Sequence, residues 1–137
     1  MKKFFILIVA VLPMLFGCSP KVMHNIAVDE IPTNHPDYAI IYFYRPGGFV
    51  QTNYKVHLGD DVVYHSKNNT KAAVKVEKAG TYEIWAKTEK RESLTLNIEP
   101  GKEYFVKTTL HFGVALWRPT LELIAPEVGK NEWNNIK

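Results

Sequence analysis

The sequence predicts an all-β domain, a compact sandwich of about seven or eight antiparallel strands. Three observations carry this. Short runs rich in Val, Ile, Tyr, Phe and Thr recur roughly every ten residues, the spacing expected of a sandwich. Gly, Pro, Asn and Asp punctuate the intervals, as tight turns require. Helical periodicity is nearly absent until the last dozen or so residues.

The strands read as 38–45, 53–58, 61–65, 70–76, 81–88, 92–98, 103–110 and 119–124. The first, Tyr38-Ala39-Ile40-Ile41-Tyr42-Phe43-Tyr44, is apolar on both parities, which marks a strand covered on both faces. Leu94, Leu96 and Ile98 alternate instead with Thr95 and Asn97, the pattern of a half-exposed strand. Gly59-Asp60 closes a hairpin, because these residues tolerate the positive φ that tight turns demand. Ala79-Gly80 and Pro100-Gly101 mark two further turns. Residues 126–137 form a short amphipathic helix or a frayed tail, since Gly129 and three Asn weaken helix propensity. If the helix forms, Trp133 and Ile136 share a face and dock together. An immunoglobulin-like or transthyretin-like sandwich accommodates this order.

The N-terminus carries a different signal. Lys2 and Lys3 supply a positive start, residues 4–16 an apolar run, and Gly17 a small residue before Cys18, the tripartite layout of a secretory signal. The run is shorter than the ~20 residues of an ordinary membrane span. Leu15-Phe16-Gly17-Cys18 resembles a bacterial lipoprotein signal, although Phe16 is bulkier than usual there. The resemblance implies cleavage after Gly17, a diacylglycerol on the Cys18 thiol and a further acyl chain on the new amine. Two or more chains make anchoring stable, each contributing ~0.8 kcal/mol per buried CH₂. An uncleaved signal anchor, or a buried apolar helix with an ordinary cysteine, is the alternative. Residues 1–17 are thus read as signal peptide, 18–37 as lipidated N-terminus and tether, and 38–137 as the sandwich domain. Ser19 follows the cysteine; in enterobacterial lipoproteins Asp there is the inner-membrane retention cue. The resemblance therefore implies an outer-membrane lipoprotein facing the periplasm in a Gram-negative cell.

Cys18 is the one cysteine, so no internal disulfide staples the fold. The formal charge of +3 comes from 17 basic and 14 acidic residues; loss of Lys2 and Lys3 leaves 15 against 14, or +1. Nucleic-acid binding, which needs clustered Lys and Arg, is not expected of so balanced a domain.

The order Ile41-Tyr42-Phe43-Tyr44-Arg45-Pro46, a Gly-Asp turn, Ala79-Gly80-Thr81-Tyr82, Glu99-Pro100-Gly101-Lys102-Glu103-Tyr104, then Arg118-Pro119-Thr120-Leu121 resembles a family of uncharacterised bacterial lipoproteins, a domain of unknown function. The resemblance runs over roughly residues 38–125 and implies a compact β-sandwich and no known activity. Its weight lies in order and spacing. Ala79 stands where the family more often has Pro, which touches only the turn.

Five residues are candidates for a ligand or partner surface: Arg45, Phe49, Phe112, Trp117 and Arg118. Arg45, at a strand end before Pro46-Gly47-Gly48, either offers a guanidinium to a carboxylate or phosphate or pairs with an internal carboxylate such as Glu122. Phe49 and Val50 lie in a Gly-rich loop and either fold over the core or form a contact surface. The segment 111–118 is apolar and aromatic where connections are ordinarily polar. Trp117-Arg118 is the aromatic and cation pair common at interaction hot spots. The segment otherwise extends the preceding strand or plugs the sandwich end, or rests aromatic residues at a lipid interface.

His24, His35, His57, His65 and His111 show no metal-ligand spacing, and no metal or other cofactor is expected. No Gly-x-Ser-x-Gly is present, Ser66 and Ser93 lack a base signature, and Asp60-Asp61 point apart in a turn. Tyr42, Tyr44, Tyr82 and Tyr104 read as core residues with hydroxyls at the rim. The expectation is a lipid-anchored, non-enzymatic envelope protein that binds a protein or envelope polymer through apolar loops at one sandwich end. A small-molecule or glycan binder with stacking Tyr and Trp is the alternative, as is a structural subunit of an envelope or secretion assembly.

Overall fold

The computed structural model describes residues 22–137, so the signal segment and Cys18 lie outside the described residues. Among the described residues nine strands form two sheets. The first sheet contains β1 (Met23–Ile26), β2 (Ala39–Arg45), β5 (Thr70–Val76), β8 (Glu103–Phe112) and β9 (Trp117–Ile124), in the order β1-β5-β2-β8-β9. The second contains β3 (Tyr54–Leu58), β4 (Asp61–Ser66), β6 (Gly80–Lys87) and β7 (Arg91–Ile98), in the order β4-β3-β6-β7. A 3₁₀ turn (Val28–Glu30) follows β1, and helix α1 (Pro126–Asn135) closes the chain. The expected all-β sandwich is present.

β2 runs through the middle of the first sheet with every residue buried, as its double-parity apolar pattern predicts. Ala39, Ile41 and Phe43 join Val56, Leu58, Val74, Ile84, Leu96 and Val106 between the sheets. Ile40, Tyr42 and Tyr44 face outward, where Trp133 and Ile136 of the C-terminal segment cover them. Full burial of such side chains contributes about 1.5–3 kcal/mol each. The two apolar parities thus build two cores on opposite faces of one strand.

Helix α1 places Pro126 at its first turn, where the missing N–H costs nothing. Its Gly129 is not simply a weak residue. A Cβ built there would collide with Cβ and Cγ of Phe105, so glycine lets the helix lie directly on the sheet. Tyr42 and Phe105 stack at 4.6 Å with planes 6° apart, and Trp133 meets Tyr42 edge-on at 5.3 Å. Lys71 fastens the end of the segment, donating to the carbonyl of Ile136 at 2.7 Å while its ammonium sits 4.6 Å from the Trp133 ring. Tyr44 donates to Glu132 at 2.6 Å, and Lys107 pairs with the same carboxylate at 3.1 Å. The Tyr44 hydrogen bond, with Lys107 beside it, holds the Glu132 carboxyl below the usual carboxylate range.

Three features differ from the sequence expectation. Residues 23–26, expected within a tether, form an edge strand on β5, with Met23 opposite Val76 and Ile26 opposite Ala73. His35, in the same stretch, is buried, with its ring nitrogens 3.0 Å from the Tyr38 carbonyl and 3.4 Å from Glu103. The pairing of β2 with β8 is parallel, Ile40 opposite Glu103 through Tyr44 opposite Lys107, whereas an all-antiparallel set was expected. The chain reaches β8 only after crossing the whole second sheet, and such long crossovers permit parallel pairing. Finally, β8 and β9 extend to Phe112 and Trp117, two residues past the expected ends near 110 and 119.

Gly129→Ala separates helix propensity from packing. Propensity alone favours alanine by about 1 kcal/mol; the collision with Phe105 predicts net destabilisation of about 1–3 kcal/mol, as for overpacked cores. A lower urea midpoint at unchanged slope is the expected result.

Candidate functional site

Strand directions sort the loops into two ends. β2 and β8 run the same way, so Arg45 and Phe112 lie at one end, with Met23, Ala39 and Glu103 at the other. The turns 46–53, 67–69, 88–90 and 113–116 gather at the Arg45 end.

Pro46 has no N–H to continue the ladder, and the chain leaves the sheet there. The Arg45 side chain turns back under the loop it precedes. Its Nη1 donates to the carbonyl of Thr52 at 2.7 Å and more distantly to Ser66 at 3.4 Å, and Nη2 donates to Val50 at 2.9 Å. Asn68 adds a second clamp, its Nδ2 donating to Gly48 at 2.6 Å and Val50 at 3.0 Å. Arg45 is 3% exposed and therefore offers no guanidinium to a ligand. Nor does it pair with Glu122, which lies on β9 opposite Lys107 and faces solvent. The partners are backbone carbonyls because the loop itself fills the space in front of the guanidinium.

This clamp holds Phe49 outward, 88% exposed. The extended β8–β9 hairpin stands beside it, closed by the Gly113 N–H donating to the Leu116 carbonyl at 2.7 Å. Its register sets Phe112 opposite Trp117, with ring centroids 5.4 Å apart and planes at 75°. Phe49 meets Trp117 at 6.4 Å and 81°. Trp117 is thus half-buried between two exposed phenylalanines, with Val114 and Leu116 exposed on the adjoining turn. The structure brings Phe49, Phe112 and Trp117 together. Arg118 borders the cluster, its side chain lying against Gly113 and its Nε 3.5 Å from Glu89, while Thr88 donates to the Trp117 carbonyl at 2.8 Å. Those contacts tie the β6–β7 turn to the same end.

A cleft of about 470 Å³ runs between the 45–50 loop and Trp117, floored by Leu110 and Thr109 and bordered by Asn68 and Lys107. Its polar groups are largely engaged within the protein: Arg45 and Asn68 hold the loop, and Lys107 pairs with Glu132. What the end offers a partner is chiefly apolar surface.

A second concavity, about 310 Å³, lies on the helix side of the first sheet. Tyr42, Phe105 and Trp133 form its floor and Val28, Ile31 and Pro32 one wall, with Glu103 and Lys130 at its edge. Tyr42 donates to Glu103 at 3.0 Å. Burial, reinforced by that carboxylate, pushes the Tyr42 hydroxyl well above the ordinary tyrosine range, so it acts as a neutral donor. This groove escaped the sequence reading because residues 28–33 were assigned to the tether. The apolar spacing of Ile26, Val28 and Ile31 is the signal that could have found it.

The histidines do not converge. His57 lies opposite Val62, and His65 opposite Lys55, after a bulge between Val56 and His57. His57 stacks on Trp85 at 3.8 Å, with Arg91 4.0 Å from the same ring. Desolvation, with Lys55 and Arg91 nearby, holds the His57 imidazole below its ordinary range. Among the described residues no group of three or more His, Cys, Asp or Glu is placed to hold a metal ion, and no helix is long and apolar enough to cross a membrane. No family model, curated protein or solved structure matches the chain.

Replacing Arg45 with Met leaves the carbonyls of Val50 and Thr52 without their donor. A loss of about 2–4 kcal/mol in urea unfolding is expected, as for truncated buried charged hydrogen bonds. Arg45→Lys should recover less than half of it, because an ammonium lacks the fork that spans both carbonyls.

Proposed function

We propose that this protein is a lipid-anchored, non-enzymatic component of the bacterial cell envelope that holds a protein or envelope polymer through its aromatic end. The observation that carries the reading is the cluster of Phe49, Phe112, Val114 and Leu116, all exposed and gathered around Trp117. Exposed apolar residues scattered singly are ordinary; contiguous ones on a rigid frame mark interaction surfaces. Here the frame is specific, since a buried arginine and Asn68 hold the Phe49 loop and a paired hairpin holds the rest. The lipid signal at Cys18 supports a tethered role, and the exposed rings make apolar contact the main term in recognition. In-cell crosslinking with affinity capture should recover a specific partner from wild type and lose it in a folded Phe49→Ala/Trp117→Ala variant. Equal recovery from both would overturn the proposed surface.

A second reading, small-molecule binding, is favoured by one observation: the 310 Å³ groove floored by Tyr42, Phe105 and Trp133 lies at the small end of ligand-pocket size. Titration of envelope sugars and lipids should then change tryptophan fluorescence in wild type but not in Trp133→Phe. A flat response in wild type would count against it.

A further inference from the structure

We infer that β1 holds the aromatic end on the side of the domain facing away from the anchoring membrane, where it docks a protein bearing acidic groups around an apolar cleft. This rests on the proposed lipidation of Cys18. Met23 pairs with Val76, level with Ala39 at the opposite end from Phe49 and Trp117. β8, running from Glu103 to Phe112, rises about 3.4 Å per residue and so separates the two ends by roughly 30 Å. The chain from Cys18 to Met23 spans at most about 18 Å even when fully extended. With the strands upright on the bilayer, pushing Phe49 and Val114 into it would require Met23 to stand some 30 Å above it, farther than that segment reaches. While β1 stays paired, the aromatic end cannot meet the anchoring bilayer end-on.

Charge then selects among the partners left. The turns and the strand ends at the aromatic end carry Lys67, Lys87, Lys90, Arg91 and Arg118 against Glu89, with Glu92 just beyond. Arg91 and Arg118 are paired with Glu83 and Glu89, whereas Lys67, Lys87 and Lys90 have no ion pair among the described residues. Apolar side chains project at the same end as these lysines, and the polar groups of the adjoining cleft are largely engaged, which suits an apolar protein cleft better than a hydroxyl-rich glycan.

The test uses the full lipidated protein in vesicles of phosphatidylethanolamine and phosphatidylglycerol containing an acceptor-labelled lipid, with a donor dye on a cysteine introduced at Val114 or at Lys78. Energy transfer should be several-fold stronger from position 78. Inserting fifteen Gly and Ser residues between Pro20 and Lys21, which leaves the folded part untouched, should raise transfer from position 114 towards that of 78. Equal or stronger transfer from 114 in the unmodified chain would overturn the orientation. Protein that stays off the vesicles altogether would instead refute the anchoring reading. For the occupant, a photoreactive residue at Phe49 in cells should yield a discrete protein adduct that one at Lys78 does not. Binding of that protein, once purified, should weaken at least tenfold in Lys67→Glu/Lys87→Glu/Lys90→Glu. Adducts to lipid or glycan alone, or binding indifferent to the charge reversal, would overturn the assignment.

Discussion

The structure depends on one strand having no solvent face. β2 is buried along its whole length, so both of its parities must be covered by something else in the chain. One parity is met by the second sheet. The other is met by α1, whose close approach requires Gly129, and by the segment that follows β1. The same strand pairs with β5 on one side and β8 on the other, and its last residue supplies the guanidinium that holds the 46–53 loop. Core, helix docking and the candidate surface are therefore mechanically continuous through seven residues.

That continuity explains what could be read from the sequence. Eight strands were legible because each is a short apolar or alternating run between turn residues, and Tyr38 to Tyr44 announced its double burial by being apolar on both parities. Trp133 and Ile136 were legible as a docking pair. β1 was not, because Met23-His24-Asn25-Ile26 is neither long nor strongly alternating and owes its extended form to a single neighbour. Strand propensity reflects fit to neighbouring strands, and a four-residue edge carries little of it alone. The parallel β2–β8 pair was equally hidden, since pairing direction is set by the path through the second sheet and leaves no local mark.

The candidate surface was half legible for a related reason. Aromatic residues in a Gly-rich loop and in an apolar connection are anomalies in sequence, and Phe49, Phe112 and Trp117 do converge. Arg45 could not be assigned in advance, because a cation next to an aromatic residue reads the same whether it serves a ligand or the backbone. Arg45 serves three carbonyls, two of them in the loop that directly follows it, and Arg118 lies beside Glu89; the direction a side chain turns, which decides between these uses, leaves no mark in the sequence. At the centre of the site the arginines hold loops, and what projects outward there is apolar.

Rigidity then bears on how well such a surface can bind. Ordering a loop on association costs about 0.5–1.5 kcal/mol for each immobilised rotamer-rich side chain, beyond the backbone. The Phe49 loop has that order built in through Arg45 and Asn68, and the hairpin through its ladder from Phe112 to Trp117. Phe and Trp have few rotatable bonds, so little further entropy is lost when they are covered. A small end of this kind can thus hold a partner with few contacts, provided the partner's cleft matches the spacing of the rings. The buried arginine, although it touches no partner, sets that spacing.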